Sequence, residues 1–255
     1  MTDSGTAERH SRLLEAWEEQ QVGFMPQRER RFAAMLDALA LALGDEFVAL
    51  DIGCGPGSLA RRILERFPRA RVVAVDVDPL LLALGRSALS RFGARLSFVA
   101  ADLRDPDWMA ALEGLRADAV VSTTAIHWLM PEQQVALLRG LPGVLREGGV
   151  FLNGEGRGPD RRSSVLHGWA ETRRDAIADV RQAKGTLSWD GWWEEAKADP
   201  DLAGFAEAHD ALMADWSIPP DTSVALHLAA LRDAGFREAG TIWQMFDDHV
   251  VAAVR

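Results

Sequence analysis

Between residues 47 and 60 the chain reads Phe-Val-Ala-Leu-Asp-Ile-Gly-Cys-Gly-Pro-Gly-Ser-Leu-Ala. Apolar, β-compatible residues run into Asp51, glycines alternate at Gly53, Gly55 and Gly57, and Ser58 opens a helix-periodic segment. The order is strand, tight loop, helix. Glycine at these positions can take positive φ and lets a ligand approach the backbone. Ser58 is placed to cap the helix, whose N-terminal N–H groups and positive dipole end face the loop. Loops of this build hold nucleotide-like groups.

Strand and helix patterns then alternate. Strands are predicted over residues 47–50, 72–75, 96–100, 119–121 and 150–153, with helices over 59–67, 79–92, 108–115 and 132–145. That rhythm predicts an α/β fold with a parallel sheet wrapped by helices. After residue 155 it stops. Residues 156–225 show no strand pattern and carry Trp169, Trp189, Trp192, Trp193 and Trp216, with acidic residues outnumbering basic ones. A helical cap is predicted there. A helix over 224–234 follows, then strands over 239–246 and 249–254 joined by a short Asp247-Asp248 turn, hence antiparallel. Upstream, two helices are predicted around a break at Gly23-Phe24-Met25-Pro26-Gln27, because proline lacks a donor and restricts the residue before it. The expected division is a helical lid (1–45), a ligand-binding core (46–155), a Trp-rich substrate cap (156–225), and a closing helix with an antiparallel hairpin (226–255). Covering one face of the sheet is the plainer role for residues 1–45.

A chain of 255 residues, 48% hydrophobic and 26% charged, can bury a full core. Its net charge of -10 disfavours nucleic acid as a partner, since phosphate contacts need clustered Lys and Arg. The single cysteine, Cys54, excludes an internal disulfide and suits a reducing cytoplasm, the expected location. The N-terminal stretch is polar and helical in pattern rather than signal-like, and no apolar run nears the roughly 18 residues of a membrane span. No membrane partner is expected. No His, Cys or Asp spacing suggests a metal site.

Three acidic residues follow strand ends. Asp76 ends the second strand, where a carboxylate can take ribose hydroxyls. Asp78 precedes Pro79 and is a natural N-cap. Asp102 ends the third strand, as an acceptor for an adenine amino group or as a simple terminator.

Taken in order, ALDIGCGPGSLA, VVAVDVDP, SFVAADLRD, ADAVVSTTAIHWL and LREGGVFLNGE resemble the successive motifs of class I S-adenosylmethionine-dependent methyltransferases. The AIHWL segment and Arg30 are similar to the small-molecule, trans-aconitate methyltransferase-like branch. The resemblance implies a Rossmann-like seven-stranded sheet with an antiparallel last strand and helices on both faces. It also implies S-adenosylmethionine as cofactor and S-adenosylhomocysteine as product. Asp51 with the backbone of Gly53, Cys54, Gly55 and Gly57 would surround the methionine moiety. Cys54 itself is simply a small residue that the loop tolerates. Asp76 would take the ribose, Val77 and Asp78 would flank adenine, and Asp102 with Leu103 would hold its edge. Arg30 would reach the methionine carboxylate, with Arg28 and Arg31 as competitors, and Ser122 and Thr123 would lie near the sulfonium.

Methyl transfer from a sulfonium is an in-line displacement that depends on alignment and exclusion of water. A base is needed only where the acceptor loses a proton. His127 follows the fourth strand at the ligand-bearing edge and is the candidate base, or else a pocket-wall side chain. The acceptor, a small organic molecule, is expected against Phe24, His127, Trp128, Glu155, His167, Trp169 and Trp193. In a helix, Trp192 and Trp193 cannot both face the core, so one should face a cavity. Arg161-Arg162 and Arg173-Arg174 could bind a carboxylate or stay solvated. The remaining histidines, His10, His209, His227 and His249, have no neighbours in sequence that suggest ligation. A non-methylating protein that binds the same cofactor is the alternative. Methylation of a macromolecule is disfavoured by the acidic cap and by Ser-Thr-Thr after the fourth strand. Monomer and homodimer both remain open.

Overall fold

Strands β1 (Val48–Ile52), β2 (Arg71–Asp76), β3 (Leu96–Ala100), β4 (Ala117–Thr123) and β5 (Leu145–Gly156) pair in parallel through the neighbours β3-β2-β1-β4-β5. The sheet is completed by β6 (Glu238–Met245) and β7 (Asp248–Val254). β7 inserts between β5 and β6 and runs antiparallel to both. The computed structural model describes residues 4–156, 164–182, 185–214, 216–217 and 219–255, and the Arg161-Arg162 pair lies outside them.

The helices are α1 (Ser4–Phe24), α2 (Arg28–Leu43), α3 (Ser58–Arg66), α4 (Pro79–Ala88), α5 (Pro131–Gly140), α6 (Ser164–Gln182), α7 (Trp189–Ala198), α8 (Ala206–Ala214) and α9 (Val224–Asp233). Alternate strand residues face opposite sides, and the two cores follow that period. Ala49, Val72, Ala74, Ala119 and Val121 pack with Phe32, Met35, Leu39, Ile63 and Leu84 of α2, α3 and α4. Leu50, Ile52, Val75, Val120 and Phe151 pack on the other face with Leu137, Leu138 and Leu231 of α5 and α9. Central strands buried on both faces read as continuous apolar runs, which is why β1 is so plain in the sequence.

Three predicted helices end early, each for a local reason. The segment after Asp107 is a single 3-10 turn, Trp108–Leu112, stopped by Glu113 and Gly114 at φ of 49° and 79°. α4 stops at Ala88, and a 3-10 segment bent at Gly93 follows. α5 stops at Gly140 just before Pro142, which cannot donate to a continuing helix. The break between α1 and α2 falls at Met25–Gln27. α1 packs on α4, α6 and α7, whereas α2 lies against β5 and β7. The N-terminal helices thus cover the sheet and reach the cap together. Among the described residues, 157–237 contain no strand.

Several polar pairs hold the cap. His10 and Arg9 on α1 bond Asp199, His10 Nε2 at 3.1 Å, and Arg9 also bonds Asp201. His10, Asp199 and Asp201 converge as metal ligands would, but the Arg9 guanidinium already supplies the cation between the carboxylates. Those bonds and that charge outweigh burial at Asp199 and hold its carboxyl at about 2. Arg174 pairs with Asp247 and Arg173 lies over the Phe246 ring, so this arginine pair fastens α6 to the β6–β7 turn rather than staying solvated.

Candidate functional site

The glycine loop leaves β1 at the carboxyl edge of the sheet. Gly53, Gly55 and Gly57 have φ of 66°, 54° and 91°, values that residues with a Cβ rarely adopt. The Cys54 N–H donates to the Val75 carbonyl at 3.0 Å, tying the loop to β2. Ser58 makes no capping bond; Gly57 is the N-cap of α3. The fully buried Asp51 takes that role from beneath, its Oδ2 accepting the Ala60 N–H at 3.1 Å while Oδ1 has no partner. Burial drives the Asp51 carboxyl up to about 7, with the Asp76 charge adding and the Ala60 N–H opposing. Burial likewise raises the Cys54 thiol, so it is no nucleophile at neutral pH.

Asp76 closes the loop from β2. Its Oδ2 accepts the Gly55 N–H at 2.7 Å and its Oδ1 accepts the Asp78 N–H at 2.9 Å. Burial lifts its carboxyl to about 6, even though both N–H groups favour the charged form. Asp78 caps α4 through the N–H groups of Leu80 and Leu81. Asp102 is held by a bidentate Arg104 fork at 2.7–2.9 Å, and these bonds overcome burial to hold its carboxyl low. Arg104 also stands over the Trp216 ring, 5.4 Å from its centroid, and Trp216 meets Trp128 edge-on at 5.0 Å.

These groups line one cavity of about 190 Å³. Of the residues expected from the sequence, Gly53, Cys54, Gly55, Asp76, Val77, Asp78, Asp102, Leu103, Thr123, Trp128 and Trp193 line it. Asp51 and Gly57 support the loop from behind. Ser122 is fully buried and donates to the Ile52 carbonyl at 2.9 Å, so it joins β4 to β1 instead of facing the cavity. Arg30 is exposed and outside the lining; Arg28, two residues earlier on α2, is buried and lines it. Both could not face inward, because residues two apart on a helix point to different sides. Arg28 pairs with Glu18, and Arg62 joins from α3. Burial lowers the Arg28 guanidinium to about 10, and the two cations outweigh burial to bring Glu18 to about 2.

On the β4–β5 side, Thr124 has a left-handed φ of 56°. Its hydroxyl accepts from Arg31 at 2.7 Å, and Arg31 also bonds Asp248 at 3.0 Å. His127 Nδ1 lies 2.8 Å from Glu155 Oε2, and the His127 N–H donates to Oε1 at 3.3 Å. Glu155 is fully buried whereas the His127 ring is part-exposed. The two lie beside the cavity wall made by Thr123, Thr124 and Trp128. His167 pairs with Glu171 on α6, and Trp169 on the same helix is 60% exposed; neither reaches the cavity. Phe24 is exposed and meets Trp189 edge-on. Trp192 is fully buried with its indole N–H on the Leu13 carbonyl, which leaves Trp193 to the cavity. Trp17, Met25, Trp189, Leu212 and Met213 also line it. They come from α1, its hinge and the cap, where sequence shows only an apolar stripe.

Residues 49–149 match a family model described as a methyltransferase domain. A trans-aconitate 2-methyltransferase of Azoarcus sp. is 33% identical over 139 residues, covering 54% of this chain and 50% of that protein. An uncharacterized methyltransferase of Mycobacterium bovis is 36% identical over 137 residues, covering 53% and 63%. The chain thus spans about half the length of the first of these relatives. Among solved structures, magnesium protoporphyrin IX methyltransferase of Synechocystis, with bound S-adenosylhomocysteine, superposes with a TM-score of 0.57 at 15% identity over 93% of this chain and 86% of that one. Human N-acetylserotonin methyltransferase with S-adenosylmethionine gives 0.55 at 16% identity over 94% and 56%. At such identities the likeness is one of fold. The motif series and the matched segment identify residues 49–149 as a methyltransferase domain, and the sheet order with its reversed β7 is the fold of the solved methyltransferases it resembles.

Proposed function

We propose that the protein transfers a methyl group from S-adenosylmethionine to a small organic molecule. The carrying observation is the cradle in which the positive-φ glycine loop at Gly53 and Gly55 and the Asp76 carboxylate line a single cavity, with Asp51 supporting the loop from behind. A bound S-adenosylmethionine supplies an electrophilic methyl on a cationic sulfonium, open to in-line attack. The chain's residues hold and shield that group. Asp76 is the acceptor for ribose hydroxyls, Val77 and Leu103 flank the base, and Arg28 takes the methionine carboxylate in place of Arg30. Trp17, Trp189, Trp193 and Met213 wall the cavity with apolar surface that excludes water. Such positioning is worth roughly 7–11 kcal/mol in barrier.

His127 and Glu155 form the base. With Nδ1–H donated to a fully buried carboxylate, Nε2 is left as the acceptor for an incoming proton. The dyad serves acceptors that must lose a proton, and a carboxylate acceptor needs none. The mainly apolar, aromatic wall and the net acidic charge favour a small acceptor over a nucleic acid.

Calorimetric titration with S-adenosylhomocysteine tests the cofactor, and release of labelled methyl onto a panel of phenols, amines and acids tests transfer. Asp76→Ala is expected to weaken binding by about 10–100-fold, the loss of a charged hydrogen bond of about 1.5–3 kcal/mol. Wild-type affinity in that variant would overturn the assignment. Tight binding with no transfer to any acceptor would favour the non-methylating alternative.

Affinity should also depend on pH. Ribose hydroxyls favour ionised Asp76, whose carboxyl titrates at about 6 in the free protein. Affinity for S-adenosylhomocysteine is therefore flat well above that value. It falls by up to about tenfold per pH unit below it, because binding must then expel a proton. Titrations at successive pH values check this, and Asp76→Asn should remove the contribution.

A further inference from the structure

His209 has no partner suggested by its sequence neighbours, yet it sits at the cofactor end of the cavity. It is buried within α8, with Nδ1 2.6 Å from Asp78 Oδ2. Its ring stacks on Trp193 at 3.9 Å between centroids and 23° between planes. The other Asp78 oxygen caps α4, the Asp78 N–H bonds Asp76 Oδ1, and Asp76 Oδ2 holds the Gly55 N–H. An unbroken series of hydrogen bonds thus runs from α8 to the glycine loop. An ionised Asp78 can only accept, which places the imidazole proton on Nδ1.

Residues three and four apart share a helix face. Leu212 and Met213 stand three and four places after His209, and both line the cavity. Trp216 follows, against Trp128 and under the Arg104 that holds Asp102. The bond that seats His209 therefore also sets the wall facing Val77, Asp102 and Leu103.

We propose that His209 is a positioning residue for the cofactor. It acts through Asp78 on Asp76 and seats α8 over the adenosine end, so that cofactor binding and closure of α8 are coupled. From sequence the whole cap, residues 156–225 with Trp193 among them, is expected to serve the acceptor; its second half, in this arrangement, serves the donor. The inference rests on the cavity being the S-adenosylmethionine site.

The test compares S-adenosylhomocysteine affinity in the full-length wild type, His209→Phe and His209→Gln, together with hydrogen exchange of α8 amides in the wild type. Phenylalanine keeps a ring on Trp193 but cannot donate to Asp78; glutamine keeps a donor. His209→Phe should bind about tenfold or more weakly, as fits loss of one charge-assisted hydrogen bond, and His209→Gln should recover most of the loss. In the wild type, saturating S-adenosylhomocysteine should slow exchange across residues 206–214. That readout holds even if His209→Phe does not fold. Unchanged affinity in a folded His209→Phe, even with a lowered melting temperature, overturns the proposal, as does exchange in α8 indifferent to ligand. Failure of the wild type to bind S-adenosylhomocysteine would instead overturn the methyltransferase reading itself.

Discussion

Arg31→Met is expected to cost about 3–5 kcal/mol of folding stability, read as a lowered urea midpoint with little change in slope. Arg31 is fully buried, and its guanidinium joins three separate parts of the chain: Asp248 on β7, the Thr124 hydroxyl after β4, and Met25 at the α1–α2 break. Its stem lies against Gly154, where an added Cβ would come within 2.7 Å of Arg31 Cδ. Methionine fills the space but strands the Asp248 carboxylate, which burial already pushes above the usual carboxylate range despite the arginine. The sign of the pH effect follows. With a folded-state value raised above the unfolded one, the folded protein takes up a proton first as pH falls. The deficit of Arg31→Met should therefore shrink on acidification from pH 8 and grow in the alkaline direction. Adding Asp248→Asn should recover part of the loss at neutral pH. A variant as stable as wild type at pH 8 would show that this pair does not carry the junction.

Gly53→Ala should remove cofactor binding and destabilise the fold by about 2–5 kcal/mol. A left-handed φ at 66° costs a residue with a Cβ roughly 1–2 kcal/mol. The new methyl would also overlap the Cβ of Ala125, and forced overpacking adds about 1–3 kcal/mol. Neither neighbour can retreat cheaply, since Cys54 is bonded to β2 and Ala125 lies between Thr124, bonded to the Gly154 carbonyl, and the short turn at residues 126–128. Gly93→Ala is the control for mid-range cost: that glycine also has positive φ, but no atom lies within 4 Å of its added Cβ. Melting temperatures with and without S-adenosylhomocysteine separate the two. Gly53→Ala should lose the ligand-induced rise, whereas Gly93→Ala should keep it.

Sheet and glycine loop are legible because local rules write them. β1 is buried on both faces and reads as an apolar run, the glycines mark positions where the backbone needs positive φ, and Asp76 stands at a strand end whose direction fixes where it points. What stayed hidden depends on partners remote in sequence. Nothing near Arg28 or Arg30 says which faces inward; that depends on how α2 rotates against the sheet. The Ser58 cap looked locally sound, but Asp51 reaches the same helix end from below. His209 and Asp78 are separated by 131 positions and Arg31 and Asp248 by 217, so only the folded chain displays either pair. The cap is legible as helical, but not which of its tryptophans meet the cavity, because a tryptophan-rich helix has the same pattern over a core as over a ligand.

The reversed β7 has a consequence for the order in which the protein is made. Because it runs against β5, its first residues, Asp248 and His249, arrive beside Gly156 and Glu155 at the same edge as the glycine loop. It also threads between two strands that both precede it in the chain. A ribosome delivers the glycine loop well before this strand. Until residues 248–254 have emerged and slotted between β5 and β6, Arg31 has no counter-ion and β5 has an open edge. The part of the fold near Thr124 and Glu155 is therefore completed only once this strand has emerged, so a nascent chain can hold a formed glycine loop before Arg31 has met Asp248.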